Sequence, residues 1–233
     1  IFWLGNCEDT AFRCNVYLVV DAGEALIVDP GNRAHFESVV ARVRQIMNPA
    51  DLTGMILCHP DPDVAASMVD WLELNPAMAV FSSPRTNVHL PHYGCSGYRF
   101  YDIAADPVHL LPSGARLRFV EAPFLHFPGA FTTFDERSGF LFSGDVWAAL
   151  DLDWALVVKD MDLHAAQMDL FHVDYMASNL AAKGFVAKIA DISIKAILPQ
   201  HGSIIPEAHV VDALTYLETL QCGTDVIYAN LAE

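Results

Sequence analysis

Two blocks of short apolar runs, each followed by stretches with helical periodicity, constrain the fold more than any other feature of the sequence. The first block holds the hairpin-like "NVYLVVDAGEALIVDPG" and the runs "GMILCH" and "MAVFSS". The second holds "ARLRFVEAP", "GFLFSGD" and "IKAILPQHG". Short apolar runs bounded by Gly, Pro or Asp are typical of strands. Helical spacing predicts helices over His35–Met47, Val64–Leu74, Asp162–Ala190 and Ala208–Leu220.

The two blocks are predicted to form one domain. No Gly-, Ser- or Pro-rich linker separates them. Two sheets packed face to face, with helices outside, bury the apolar faces of both blocks most simply. We therefore predict an α/β fold, a four-layer αββα sandwich forming a single domain over residues 1–233. The intervening stretch Pro84–Pro112 is rich in Pro, His and Tyr and is predicted to form loops and short helices.

The composition supports a large core and argues against two classes of partner. Hydrophobic residues make up 53% of the chain and charged residues 18%, which is enough apolar material for a well-buried interior. No apolar run approaches the ~18 residues of a membrane span, so no membrane partner is expected. A net charge of −16 would repel phosphate backbones, so no nucleic-acid partner is expected either.

The cysteines indicate a reducing, cytoplasmic location. Their number is odd and none form a Cys-x-x-Cys pair, so neither a disulfide framework nor a rubredoxin-like iron site is predicted. The five positions are Cys7, Cys14, Cys58, Cys95 and Cys222.

The segment "HPDPD" places three potential metal ligands at alternate positions directly after an apolar run. In an extended segment, side chains two residues apart share a face, so His59, Asp61 and Asp63 are predicted to converge. Pro60 and Pro62 are predicted to hold the segment extended and to withhold competing N–H donors. The adjacent Cys58 points to the opposite face of a straight strand and is interpreted as a core residue.

Three further candidate ligands follow other predicted strands: His126 after "VEAPFL", Asp145 after "GFLFSG" and His201 after "AILPQ". Strand ends aim loop side chains at a common point in α/β proteins. The combined set of imidazoles and carboxylates, without a thiolate, suits a pair of Fe, Mn or Zn ions with one carboxylate between them. Two alternatives stay open: a helix-capping role for Asp145, and a domain that has lost its metal.

These motifs resemble the metallo-β-lactamase superfold, and within it the diiron domain of flavodiiron proteins and the related oxygen-binding diiron proteins. The similar segments are the entry hairpin, "HPDPD", "HFPGAFTTFDERSGFLFSGD" and "PQHG". The resemblance implies that His59, Asp61 and His126 bind one iron. It implies further that Asp63 and His201 bind the other, and that Asp145 bridges the two. Asp61 stands where the family usually has Glu.

The same resemblance argues against hydrolysis. Hydrolytic members of the superfold carry H-x-H-x-D-H, and this chain has Asp61 and Val64 at the third and sixth positions. A carboxylate in place of an imidazole favours a harder ion such as iron over zinc. Tyr175 lies where the flavodiiron family tends to place a pocket tyrosine, so it is a candidate for hydrogen bonding to a bound diatomic gas. His164 and His172, on the same predicted helix, are expected to be solvated.

Three functions follow from the resemblance. The first is an O2-binding or sensor module that passes its state to a signalling or redox partner protein. The second is an O2 or NO reductase core supplied with electrons by a separate flavoprotein, and the third is a metal-dependent hydrolase. Flavodiiron proteins carry an FMN-bearing flavodoxin domain after the diiron domain. Only a helix and a tail follow His201 here, and no Gly-rich phosphate loop is present, so FMN binding is not expected. The family also implies a homodimer.

Overall fold

The computed structural model describes residues 1–6 and 10–231, and within these ranges two six-stranded sheets form the centre of the fold. Cys7 lies outside the described residues. The first sheet has neighbouring strands in the order β1 (Phe2–Asn6), β2 (Asn15–Asp21), β3 (Glu24–Val28), β4 (Gly54–Ile56), β5 (Ala79–Ser82) and β6 (Arg99–Asp102). The second has them in the order β7 (Val108–Leu110), β8 (Arg116–Glu121), β9 (Phe131–Asp135), β10 (Phe140–Gly144), β11 (Ala196–Pro199) and β12 (Ile205–Pro206).

Both sheets are mixed. In the first, β3 to β6 are parallel, whereas β2 pairs antiparallel with both β1 and β3. In the second, β10 and β11 are parallel and the other pairs are antiparallel. The α-helices of the described chain are α1 (Phe36–Val43), α2 (Pro62–Ala65), α3 (Met68–Leu74), α4 (Pro84–Asn87), α5 (Met161–Tyr175), α6 (Asn179–Lys188), α7 (Val210–Thr219) and α8 (Thr224–Ile227).

Alternation along the strands divides the core into three apolar layers, as expected for strands buried on both faces. In β2, Val16 and Leu18 pack in a cluster with residues of α1 and α3. Tyr17 and Val19 join a second cluster, which contains residues of both sheets. A third cluster lies between the second sheet and helices α5, α6 and α7. Three apolar layers between four layers of secondary structure confirm the predicted αββα sandwich.

Several element boundaries differ from the prediction. The long helix predicted over Asp162–Ala190 is two helices, because Met176 is extended and the Ser178 side chain caps α6 by accepting the Ala181 N–H. The stretch Pro84–Pro112 contributes β6 and β7, the edge strands of the two sheets, in addition to short helices. Within the described residues, none of the helices combines the length and hydrophobicity that a bilayer crossing requires.

Candidate metal centre

The predicted ligands lie at one edge of the sandwich, where several strands end. His59 follows β4, Asp145 directly follows β10, and His201 follows β11. Because β10 and β11 are parallel, their carboxyl ends meet at the same edge, which brings Asp145 and His201 together. His126 reaches this edge from the loop between β8 and β9.

One group of donors surrounds a single oxygen of Asp145. The Nε2 atoms of His59 and His126 lie 3.3 and 3.1 Å from Asp145 Oδ2. The Oδ2 atom of Asp61 lies 3.8 Å from His59 Nε2 and 3.5 Å from His126 Nε2. Two imidazole nitrogens and one oxygen of Asp145 therefore face one small volume, with the Asp61 carboxylate beside both imidazoles, and such a set suits a divalent cation.

A second group faces the other oxygen of Asp145. His201 Nε2 lies 3.5 Å from Asp145 Oδ1 and 3.1 Å from Asp63 Oδ2. The Asp145 carboxylate thus stands between two groups of donors, one on each oxygen. It is buried, with only 3% of its side chain exposed.

The prediction of an extended three-ligand segment was wrong beyond Asp61. Pro62 begins α2, so Asp63 lies within a helix rather than on the extended segment. Proline suits the first helical position because its missing N–H would have no partner there and its φ angle is helical. The turn directs Asp63 away from Asp61 and places it in the second group, beside His201.

Contacts behind the histidines orient their rings. His201 Nδ1 lies 2.8 Å from the Arg13 carbonyl oxygen, which as an acceptor requires a proton on Nδ1 and leaves Nε2 free to face the centre. The Cys58 thiol lies 3.0 Å from His59 Nδ1. Cys58 is buried, as predicted, and its backbone N–H donates to Asp29 Oδ1 at 3.0 Å. Burial raises the pKa of Asp29 to about 6.

The electrostatics of the centre favour an ionised Asp145. Burial by itself would raise the pKa of Asp145, but the charge of His59 and the hydrogen bond from His126 hold it far below its ordinary value. Burial opposes protonation of His126 and His201, but the neighbouring carboxylates of Asp145 and Asp63 raise the pKa of both histidines. A metal ion would therefore compete with a proton for His126 and His201, because an imidazole must be neutral to bind a metal.

The residues present fit a pair of metal ions. Among the described residues, three buried atoms facing the centre have no hydrogen-bond partner: His59 Nε2, His201 Nε2 and Asp145 Oδ1. Buried polar atoms are normally satisfied, and leaving one unsatisfied costs about 1–3 kcal/mol. Two cations, one in each donor group, would satisfy all three atoms. The described residues contain two sets of potential ligands, and within each set the donor atoms lie within 4.8 Å of one another. One set is His59, His126 and Asp145, and the other is Cys14, Asp63 and His201.

Cys14 is the residue that sequence reasoning missed. It directly precedes β2, and the prediction considered the ends of strands rather than their beginnings. Since β2 is antiparallel to β3, its beginning lies at the edge where β3 and β4 end. The position of Cys14 at the start of the entry hairpin was the sequence signal that could have identified it as a candidate ligand.

Tyr175 is the last residue of α5 and lies beside the first group. Its ring stacks on Phe171 at 4.5 Å and packs edge-on against the His126 ring at 5.5 Å, measured between centroids. Phe12 stacks on the His201 ring at 3.8 Å. These aromatic rings flank the histidines on one side of the centre.

His164 and His172 are buried, so the prediction that they are solvated was wrong. Their side of α5 packs on the second sheet, and they are 3% and 0% exposed. His172 Nε2 accepts the Trp147 backbone N–H at 2.9 Å, and its Nδ1 lies 2.9 Å from the Met168 carbonyl oxygen. A neutral imidazole satisfies both contacts and holds the loop that follows Asp145.

Acid is expected to weaken the fold through His172. Burial lowers its pKa from 6.5 to about 4, so its contribution is fully present above pH 6.5 and is lost as the pH falls toward 4. The loss is on the order of 3 kcal/mol. Urea denaturation of the wild type and of His172→Gln between these pH values measures it, since glutamine keeps a donor and an acceptor but does not titrate. The difference in unfolding free energy between them should shrink as the pH falls. If the unfolding free energy changed equally with pH in the wild type and in His172→Gln, the role of His172 would be contradicted. His89→Gln, which removes an exposed histidine, is the control.

Comparisons with known proteins agree with the predicted resemblance. A family profile described as "ODP family beta lactamase" matches residues 12–202, a range that includes all six predicted ligands. The solved structure "Peroxy diiron species of chemotaxis sensor ODP" is 32% identical, with a TM-score of 0.87, and the alignment covers 98% of this chain and 94% of that one.

Flavodiiron relatives match over part of their length. A nitric oxide reductase of Moorella thermoacetica is 27% identical over 82% of this chain, which spans 49% of that protein. A mutant of the flavo di-iron protein from Thermotoga maritima superposes with a TM-score of 0.78 at 21% identity. The superposition covers 89% of this chain and 52% of that one, so the two proteins share the fold. The chain therefore spans about half the length of these relatives. With its family match over most of its length and its two-sheet architecture, the chain belongs to the ODP family of β-lactamase-fold domains.

Proposed function

We propose that this chain holds two iron ions at the centre and binds O2 there as an oxygen-binding or sensor module. The observation that carries the proposal is Asp145, a buried carboxylate whose two oxygens face separate groups of imidazole and carboxylate donors. A single bridging group of this kind is suited to a pair of ions. The likeness to the chemotaxis sensor ODP, solved as a peroxy diiron species, supports iron and O2 in particular.

In this proposal His59, Asp61 and His126 hold one iron, Asp63 and His201 hold the other, and Asp145 bridges them. When bound, the reduced iron pair supplies the electrons and open coordination positions that O2 capture needs. The Asp61 side chain is 39% exposed, whereas those of His59 and Asp145 are 2% and 3% exposed. The side of Asp61 is therefore the proposed approach for the gas, and its short side chain leaves more room there than the glutamate usual in flavodiiron proteins.

Tyr175 is proposed to stabilise the bound gas. Its ring packs against His126, and the tyrosine is 55% exposed, so its hydroxyl can reach solvent or a ligand. Phe171 and Phe12 limit the access of water on the same side, because their rings stack next to the histidines. A hydroxyl donor beside His126 favours a small ligand that accepts a hydrogen bond.

The module is proposed to act with other proteins. A sensor must transmit its state, so a signalling or redox partner belongs to this proposal, as does the homodimer that the family implies. The odd number of cysteines supports a reducing, cytoplasmic setting.

A second candidate function, an O2 or NO reductase core, is favoured by the similarity to the nitric oxide reductase of Moorella thermoacetica.

Exposure of the iron-loaded protein to air separates the two functions. The chain is loaded anaerobically with Fe(II), desalted and mixed with O2, while absorbance and O2 concentration are recorded. A sensor is expected to form a persistent coloured species and to consume no more than about one O2 per iron pair. Continuous O2 or NO consumption with a flavoprotein donor would favour the reductase instead. Failure to form any coloured species with two irons bound would contradict O2 binding.

A further inference from the structure

The two halves of the centre have unequal numbers of donors. His59 and His126 stand around one oxygen of Asp145, and the Asp61 carboxylate lies beside both of these histidines. Near the other oxygen, the described part of the chain provides His201, with the Asp63 carboxylate 3.1 Å from the His201 Nε2. Counting the shared carboxylate, the first position has four protein donors and the second has three.

A thiol lies beside the position that has fewer donors. Cys14 Sγ is 3.8 Å from Asp63 Oδ2, and Cys14, Asp63 and His201 all offer a donor atom within 4.8 Å of one another. The 3.8 Å between Cys14 Sγ and Asp63 Oδ2 and the 3.1 Å between Asp63 Oδ2 and His201 Nε2 suit ligands of one ion, because ligands about 2.0–2.3 Å from a metal are themselves about 3–4 Å apart. Cys14 is 1% exposed, so its thiol is directed into the protein.

An independent observation indicates a ligand at this place. His201 is completely buried, and among the described residues its Nε2 has no hydrogen-bond partner. The same is true of Asp145 Oδ1, which lies 3.5 Å from that nitrogen. The His201 Nε2 also lies 3.1 Å from Asp63 Oδ2. A metal ion there, rather than a hydrogen bond, satisfies them.

Backbone contacts hold Cys14 in register with His201. The two residues form an antiparallel β-bridge. On one side of Cys14, the Arg13 carbonyl oxygen lies 2.8 Å from His201 Nδ1. On the other side of Cys14, the Asn15 backbone N–H donates to the Gln200 carbonyl oxygen at 2.6 Å. The Asn15 side-chain amide donates to the Gly202 carbonyl oxygen at 2.8 Å. The thiol and the imidazole are therefore fixed relative to each other before any ion binds.

We propose that Cys14 is a thiolate ligand of the second metal position, an inference that rests on the proposed dinuclear centre. On binding, the S–H bond breaks, an S–metal bond forms and the proton goes to solvent, with no change in oxidation state. Thiolate suits borderline ions such as Fe(II), Co(II) and Zn(II). The Cys14 thiolate and the carboxylates of Asp61, Asp63 and Asp145 together carry four negative charges, which balance the charges of two divalent ions. A neutral total lowers the cost of burying the ions.

Cobalt substitution tests the assignment without relying on gas binding. The chain, loaded anaerobically with Co(II), is expected to bind two ions and to show a thiolate-to-cobalt charge-transfer band in the near ultraviolet. The zinc form should show a sulfur scatterer at about 2.3 Å by X-ray absorption. In Cys14→Ala the band and the sulfur scatterer are lost, and affinity for the second ion falls at least about 10-fold. Cys222→Ala, which removes another buried cysteine, should keep both signals.

The outcomes separate this inference from the proposed function. Two bound ions without a sulfur signal in the wild type would overturn the Cys14 assignment and leave the dinuclear centre intact. A sulfur signal that disappears in Cys58→Ala but persists in Cys14→Ala would overturn it as well. Failure of the wild type to bind any ion would contradict the dinuclear centre itself. Because the wild-type spectrum decides the first case, the test does not depend on the folding of the Cys14→Ala variant.

Discussion

Replacing Asp145 with alanine is expected to release both metal ions, so that metal content after anaerobic loading and desalting falls from two per chain to near zero. The reason is that one carboxylate serves both donor groups, with Oδ2 at 3.1 Å from His126 Nε2 and Oδ1 at 3.5 Å from His201 Nε2. Without it, each position loses a ligand and the charge that separates the two cations. The loss of affinity at each position should be at least about 100-fold, since even removal of groups behind the ligands costs 10- to 100-fold.

Two variants serve as comparisons for Asp145→Ala. Asp63→Ala removes a ligand from the second group alone, so it should lower the content to about one ion per chain. Asp135→Ala removes another buried aspartate, one whose carboxylate accepts backbone N–H groups of Arg137 and Ser138 outside the centre, and should keep both ions. Retention of two ions in a folded Asp145→Ala variant would show that Asp145 does not bridge.

Metal loading is expected to raise the thermal stability strongly. The metal-free chain leaves His59 Nε2, His201 Nε2 and Asp145 Oδ1 buried without hydrogen bonds among the described residues, and ions bound only by the folded state shift the unfolding equilibrium. At free metal about 100 times the dissociation constant, each ion adds about 2.7 kcal/mol, or about 5 kcal/mol for two. For a chain of 233 residues this corresponds to a rise in Tm of about 10–20 °C.

Calorimetry of the chelated protein, with and without anaerobic Fe(II), measures this shift. Asp145→Ala should show almost none of it, whereas Asp135→Ala should show nearly all. Potassium chloride at matched ionic strength controls for a general salt effect. A rise of only a degree or two in the wild type at saturating Fe(II) would mean that the buried donors do not bind the ions tightly in the folded state.

The layer architecture could be predicted from local patterns. Runs such as "NVYLVV" alternate between two buried faces, and such strands need partners on both sides, which leads to sheets covered by helices. The break in the long predicted helix was not predictable, because the Asp162–Ala190 sequence keeps a helical composition through Met176. Only packing against the second sheet determines where α5 ends and the Ser178 cap begins α6.

The types of donor and their positions after strands can be read from local sequence, because a residue that follows a buried strand is held at a sheet edge wherever that edge lies. The grouping of the donors depends on long-range contacts. The turn at Pro62 moves Asp63 to the second group, and the antiparallel pairing of β2 brings Cys14 beside His201, which lies far along the chain from it. Side-chain direction and the pairing of distant strands depend on contacts between segments, and local sequence does not encode these contacts.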